Sequence, residues 1–143
     1  MSAALKQRAR IARVRRLQHN MAASSAAEAA GQLRHLEMSR ERLARMRGEL
    51  NPAQGTTSGA WLSAASELAT RLDAARLGLS GSIEAARKVA AAREQARLQA
   101  RKSQESAEKL EQAAARAAAE ATENRMKNRT LRGRRAARPE RDG

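Results

Sequence analysis

The chain has 143 residues and a formal net charge of +14, with 29 Lys and Arg against 15 Asp and Glu. Leu, Ile, Val and Phe together number only 18, too few to cover the packed layers of a conventional enzyme core. Cysteine is absent, which excludes disulfides, thiolate zinc sites and cysteine nucleophiles. Ala, Glu, Lys, Leu and Arg nevertheless make up 91 of the residues, a composition typical of long helices and coiled coils.

A first helix is predicted over residues 2–49. Apolar and small residues recur there at steps of three and four, the spacing of one helix face. We call the face that packs against a partner helix the seam. In the first helix the seam is predicted to comprise Ile11, Val14, Gln18, Met21, Ser25, Leu33, Leu36 and Leu43, and Leu50 continues the spacing of seven at the start of the loop.

A loop is predicted over residues 50–59. Pro52 disfavours helical geometry at the residue before it, and glycines follow within the same segment. Ser58 stands immediately before the next periodic segment, where a serine side chain can accept a backbone hydrogen bond. The sequence therefore predicts that Ser58 caps a second helix.

The second helix is predicted over about residues 60–132, followed by a basic disordered tail over residues 133–143. Its seam is predicted to comprise Ala65, Leu68, Leu72, Ala75, Leu79, Ile83, Ala86 and Val89 or Ala90. Beyond these the seam is predicted to be nearly all alanine, with Leu98, Leu110 and Ala114 as its larger markers. Gly78 and Gly81 interrupt this pattern, and each costs roughly 1 kcal/mol relative to alanine in a helix. Either they bend the helix or the helix tolerates them.

Two apolar stripes joined by one short loop predict that the chain folds back on itself, because neither helix can bury its stripe alone. The predicted fold is all-α: a long two-helix antiparallel coiled-coil hairpin with a C-terminal helical overhang, monomeric on its own. With a turn centred near residue 54, residue i faces residue 109 − i. The overhang is then predicted over Glu108–Leu131.

No catalytic constellation is visible, so the protein is predicted not to be an enzyme and to bind no metal or cofactor. Phosphate loops, nucleophile elbows and zinc-binding His pairs are all missing, and His19 and His35 are the only histidines. No apolar run approaches the roughly 20 residues that a membrane span needs. The sequence predicts a soluble chain without membrane insertion.

The charge is concentrated at the two ends: residues 1–20 and residues 124–143 each contribute +6. In a hairpin both blocks lie at the open end. Such arginines can bind phosphate backbones nonspecifically, or they can bind carboxylates on an acidic protein surface. A single aromatic residue, Trp61, argues against nucleic-acid recognition by base stacking.

The layout resembles the FliJ family, coiled-coil components of the flagellar type III export apparatus with relatives in virulence secretion systems. The resemblance rests on the Ser-Gly-Ala-Trp-Leu start of the second helix at residues 58–62, and on Glu-Asn-Arg-Met at residues 123–126 before an arginine-rich tail. It implies the central stalk of a hexameric export ATPase (FliI-like), whose ring the paired ends enter to promote assembly and activity. It also implies contacts with the export gate protein (FlhA-like) and with export chaperones. The location so implied is cytoplasmic, peripheral at the inner membrane.

The resemblance also implies two sets of binding residues. The ring-binding set comprises Arg8, Arg13, Arg16, Arg125, Lys127, Arg129 and Arg132. The gate-binding set comprises Leu68, Leu72, Ala75 and Leu79. Leu68 and Leu72 have an alternative place in the seam between the two helices. A nonspecific nucleic-acid-binding coiled coil and a self-associating scaffold or chaperone remain the alternative functions.

Overall fold

The computed structural model describes residues 2–50 and 58–138, which form two long helices and, over these ranges, no strand. Helix α1 spans Ala3–Glu49 and helix α2 spans Gly59–Ala137. The two helices contact each other as an antiparallel pair, so the predicted all-α two-helix hairpin is confirmed. The predicted loop lies outside the described residues between positions 51 and 57.

Both helices begin at a serine cap. The Ser2 hydroxyl accepts a hydrogen bond from the Leu5 backbone N–H at 3.2 Å. The Ser58 hydroxyl accepts one from the Trp61 N–H, also at 3.2 Å. Because the first N–H groups of a helix have no partner within it, each serine satisfies one such donor. The predicted role of Ser58 is confirmed.

The chain divides into two compact units. In one of them, Met21–Leu98, the antiparallel direction is visible in two ion pairs between the helices: Arg47 with Asp73 at 3.4 Å and Glu37 with Arg87 at 3.5 Å. Its most deeply buried side chain is Ile83, which is 1% exposed. Among the described residues, the two buried hydrophobic side chains larger than alanine, Leu72 and Ile83, both belong to α2.

The other unit consists of Met1–Asn20 and Gln99–Gly143. Its buried hydrophobic residues are both alanines, Ala12 and Ala107. Since alanine side chains are short, two helices with alanine at their contact can approach closely, but each alanine removes little apolar surface from water. We call the paired part of this unit, Ala3–Asn20 against Gln99–Ala118, the stem.

The predicted pairing of residue i with residue 109 − i is wrong in both units. That rule places residue 62 opposite Arg47 and residue 93 opposite Arg16, whereas the structure has Asp73 and Glu108 there. The prediction assumed that the two helices begin level at the turn. In the structure α2 begins about 20 Å beyond the last turn of α1, a distance that residues 50–58 are long enough to span, at roughly 3.3 Å per residue.

The shifted pairing moves the start of the unpaired part of α2. Glu108, predicted as the start of the overhang, faces α1. The last partly buried residue of α2 is Ala118, and every described residue beyond it is exposed. We therefore define the overhang as residues 119–137, a helical segment about 28 Å long at 1.5 Å per residue.

The C-terminal end of α2 also differs from its prediction. The helix continues through Gly133 and ends at Ala137, five residues later than expected. The predicted disordered tail beyond Pro139 lies outside the described residues. Helix α2 is likewise unbroken at Gly78 and Gly81, so the helix accommodates both glycines.

The seam itself was predicted only in part. Along α2 the buried and partly buried residues repeat at steps of four and three, and the predicted Ala65, Leu72, Leu79, Ile83 and Ala86 belong to them. Seven predicted seam residues are exposed instead: Val14, Gln18, Met21, Leu68, Ala75, Leu98 and Leu110. The partly buried positions are instead mainly alanines, together with Arg76. The prediction missed them because it ranked large apolar side chains above small ones.

Candidate functional site

The overhang carries the predicted C-terminal ring-binding residues on a helix that no other described element covers. Met126, its largest apolar side chain, is 66% exposed. All of the predicted residues in this segment are exposed and helical, namely Arg125, Lys127, Arg129 and Arg132. A helix of this length without a packed face is marginal in water alone, so a bound partner would stabilise it.

The seam positions of α2 continue into the overhang with unchanged spacing but with different residue types. In the stem they are Ala100, Gln104, Ala107, Glu111, Ala114 and Ala118. The same steps of three and four lead on to Ala121, Arg125, Asn128, Arg132 and Arg135. The face that packs against α1 in the stem thus becomes a cationic face once α1 has ended.

The overhang is strongly basic. Six lysines and arginines lie in its last thirteen residues, 125–137, and Arg138 follows directly, with no acidic residue in this stretch. One of the seven, Lys127, pairs with Glu123 of the same helix at 3.2 Å. Among the described residues the other six form no ion pair. These guanidinium groups are therefore available to carboxylates or phosphates of another molecule.

Three of these arginines share one side of the helix. Arg125, Arg129 and Arg132 follow each other at steps of four and three, which places their side chains above one another along the axis. They form a row about 10 Å long. A row of this kind can contact successive acidic groups of a partner.

The predicted N-terminal ring-binding residues have different surroundings from one another. Arg16 pairs with Glu108 at 3.0 Å and with Glu111 at 3.9 Å, so it joins α1 to α2 within the stem. Arg8 and Arg13 are exposed and form no ion pair among the described residues. The structure therefore leaves Arg8 and Arg13 available to a partner and engages Arg16 internally.

The hydrogen bonds around Glu108, which pairs with Arg16, lower the pKa of its carboxyl group. The Gln104 side-chain amide donates a hydrogen bond to the Glu108 carboxylate at 3.0 Å, and the Arg16 guanidinium donates another at 3.0 Å. Both bonds favour the charged carboxylate, and together they lower the pKa of Glu108 below its ordinary value. This three-residue cluster is a link between the helices of the stem.

The predicted gate-binding residues fall into two groups. Leu72 is only 6% exposed and Leu79 is half-buried, and both lie on the seam. Leu68 is 44% exposed, and Ala75 is exposed as well. The sequence left open whether Leu68 and Leu72 face the seam or a partner. In the structure Leu72 is buried in the seam and Leu68 is exposed to solvent.

Two general properties of the described residues bear on function. Over residues 2–50 and 58–138, no group of three or more His, Cys, Asp and Glu side chains is placed to hold a metal ion. Over the same ranges, no helical stretch has the apolar length that crossing a bilayer requires.

Comparison with protein-family models, with curated protein sequences and with solved structures gave no match to this chain.

Proposed function

We propose that this protein is a helical stalk that inserts its basic open end into the ring of a hexameric export ATPase, as in the FliJ family that its layout resembles. It promotes ring assembly and ATPase activity, and it links the ring to the export gate and to export chaperones at the cytoplasmic face of the inner membrane. The observation that carries the proposal is the unpaired arginine row of the overhang. The chain itself performs no catalysis in this role and needs no cofactor.

The overhang supports the proposal by its geometry. A single helix fits a narrow pore better than a pair of helices does, and its arginine row offers the same chemistry at successive heights. An asymmetric stalk in a symmetric ring has to contact equivalent loops in turn without fitting any single one. Long arginine side chains on an exposed helix suit such contacts, because each can reach a carboxylate from several rotamers.

The exposed Leu68 and Ala75 are the gate-binding residues in this proposal, since Leu72 and Leu79 are occupied by the seam. Of the N-terminal arginines, Arg8 and Arg13 face the ring together with Arg125, Arg129 and Arg132, and Arg16 holds the stem.

The proposal is tested by changing Arg125, Arg129 and Arg132 together to Ala. Helicity by circular dichroism should be unchanged or slightly higher, because alanine is the better helix former. Stimulation of a purified FliI-like hexameric ATPase should be lost. The matched control changes three exposed arginines of α1, Arg34, Arg42 and Arg45, to Ala and should retain stimulation.

Three outcomes would contradict the proposal. If stimulation survives the triple change but is lost in Leu68→Ser with the fold intact, the turn end binds the ring. The chain could instead bind mixed-sequence duplex DNA with an affinity that falls steeply with added salt. If the triple change abolishes that binding and leaves ATPase stimulation unchanged, the overhang binds nucleic acid. A tight dimer in sedimentation at low micromolar concentration would favour a self-associating scaffold.

A further inference from the structure

A second basic surface lies on the stem, apart from the overhang. It is a groove between α1 and α2, lined by Arg8, Ile11, Arg15, Lys102, Ser106 and Leu110. Three of its lining side chains are cationic, namely Arg8, Arg15 and Lys102, and Ile11 and Leu110 are apolar. Neither the charge pattern nor the seam prediction indicated this groove, because its residues come together only through the shifted pairing of the helices.

The charges of the stem are divided between its two sides. On one side Arg16 pairs with Glu108 and Glu111. On the other side, within the described residues, Arg8, Arg15 and Lys102 form no ion pair, and Arg15 only donates a hydrogen bond to the Gln18 amide at 3.1 Å. The third acid of the stem, Glu105, pairs with Arg101 of its own helix at 3.1 Å, so the groove keeps a net positive charge.

The groove also exposes apolar surface. Leu110 is 48% exposed and Ile11 is half-buried between the helices. Phosphate backbones gain nothing from such apolar contacts, whereas an amphipathic peptide buries its own apolar side chains against them.

The spacing of the lining residues fits a helical occupant. On α1, Arg8, Ile11 and Arg15 follow each other at steps of three and four; on α2, Ser103, Ser106 and Leu110 do the same. Each set therefore lies along its helix as a continuous line. The small serines leave room on the α2 side for a third helix to approach.

We propose that this groove binds an acidic amphipathic helix of a partner protein, which packs as a third helix on the stem with its apolar face against Ile11 and Leu110 and its carboxylates toward Arg8, Arg15 and Lys102. A second copy of this chain does not suit the groove, because each copy carries a net charge of +14. The inference goes beyond the stalk function and does not depend on it.

The test uses a fluorescein-labelled synthetic peptide of about 21 residues, three heptads with leucine on the seam and glutamate beside it. Its binding to the full chain is measured by fluorescence anisotropy at about 0.15 M salt. Changing Arg8→Glu and Arg15→Glu together should weaken binding by at least about tenfold, because carboxylates then face carboxylates. The matched control, Lys6→Glu with Arg10→Glu, makes the same change of charge on exposed residues of α1 outside the groove and should leave binding within about twofold.

A second variant keeps every charge: Ser106→Tyr fills the groove and should weaken binding by about tenfold as well. Circular dichroism of each variant verifies that the hairpin is retained. Equal binding of a scrambled peptide of the same composition, or equal weakening by the control pair, would overturn the proposal. Displacement of the peptide by duplex DNA at matched charge, with Ser106→Tyr having no effect, would overturn it in favour of nucleic acid. Ser106→Tyr changes none of the arginines that face the ring in the proposed function, so its effect on the peptide is separable from ATPase stimulation.

Discussion

The stem and the overhang are consecutive parts of one helix with the same spacing at their seam positions, yet one is paired and the other is not. In the stem the seam positions of α2 are mainly alanine, and Ala107 is 6% exposed. In the overhang the equivalent positions include Arg125, Arg132 and Arg135, all exposed. Spacing alone therefore determines which residues share a face, and residue type determines whether that face can be buried.

The physical reason lies in the cost of desolvation. Burying an alanine seam gains about 25 cal/mol per Å² of apolar surface. Alanine side chains carry no polar group, so their burial has no cost of desolvating one. An arginine at the same position would have to leave water without a carboxylate partner, which costs more than the surrounding alanines return. The exposed arginines of the overhang therefore oppose burial of this face against a helix that brings no acidic groups.

The largest expected effect on stability comes from placing a glutamate at equivalent positions of the stem and of the overhang. Ala107 and Asn128 occupy equivalent seam positions three heptads apart on α2. Ala107→Glu buries a carboxylate in the stem and should lower the free energy of unfolding by on the order of 3 kcal/mol. Asn128→Glu should leave stability nearly unchanged, since its carboxylate stays in water beside Arg125 and Arg132. Urea denaturation followed by circular dichroism measures both, and equal destabilisation would show that the overhang is packed in solution.

A smaller effect is expected at the glycines, where an added Cβ meets no neighbouring atom within 4 Å. In the unit Met21–Leu98, Gly78→Ala and Gly81→Ala should each raise the free energy of unfolding by up to about 1 kcal/mol. The reason is that alanine restricts the unfolded chain and favours helix. Gly133→Ala lies in the overhang and should raise helicity near the C-terminus without moving the urea midpoint. A matching rise of the midpoint for Gly133→Ala would mean that the overhang unfolds together with the paired helices.

The helices and their antiparallel pairing could be predicted because alanine, leucine and arginine favour helix and only one segment breaks the pattern. The cap at Ser58 was predictable for the same local reason. The pairing of residues across the hairpin was not, since it depends on which seam residues fit each other rather than on the centre of the loop. Asp73 opposite Arg47 is the outcome of that fit.

The candidate site was predicted to a similar degree. The arginine row of the overhang follows from spacing on a single helix and needs no tertiary information. The division of the gate-binding set could not be foreseen, because Leu68 and Leu72 are equally apolar and lie one helical turn apart on the same face. The shifted pairing places Leu72 level with the end of α1 and Leu68 beyond it. An alanine-rich seam was predicted for the later part of α2, but which alanines form it was not, since 35 alanines are spread over the whole chain.

The smallest expected effect is on the pH dependence of stability. It compares one carboxylate of the stem, Glu108, with one of the overhang, Glu123. The pKa of Glu108 is lowered by the hydrogen bond from Gln104 and then by that from Arg16, which comes from the other helix. A carboxyl whose pKa is lower in the folded than in the unfolded state contributes stability above its unfolded pKa, near 4.5, and loses it as the pH falls through the folded value.

Glu108→Gln should therefore lower the melting temperature at neutral pH, and this difference from the unchanged chain should disappear in acid. Glu123→Gln is the matched control, because the ion pair of Glu123 with Lys127 lies within α2 and joins no second helix. Its melting temperature should equal that of the unchanged chain at every pH. A difference for Glu108→Gln that persists below the folded pKa would instead show that the substitution disturbs packing, and that the charge of Glu108 does not hold the stem together.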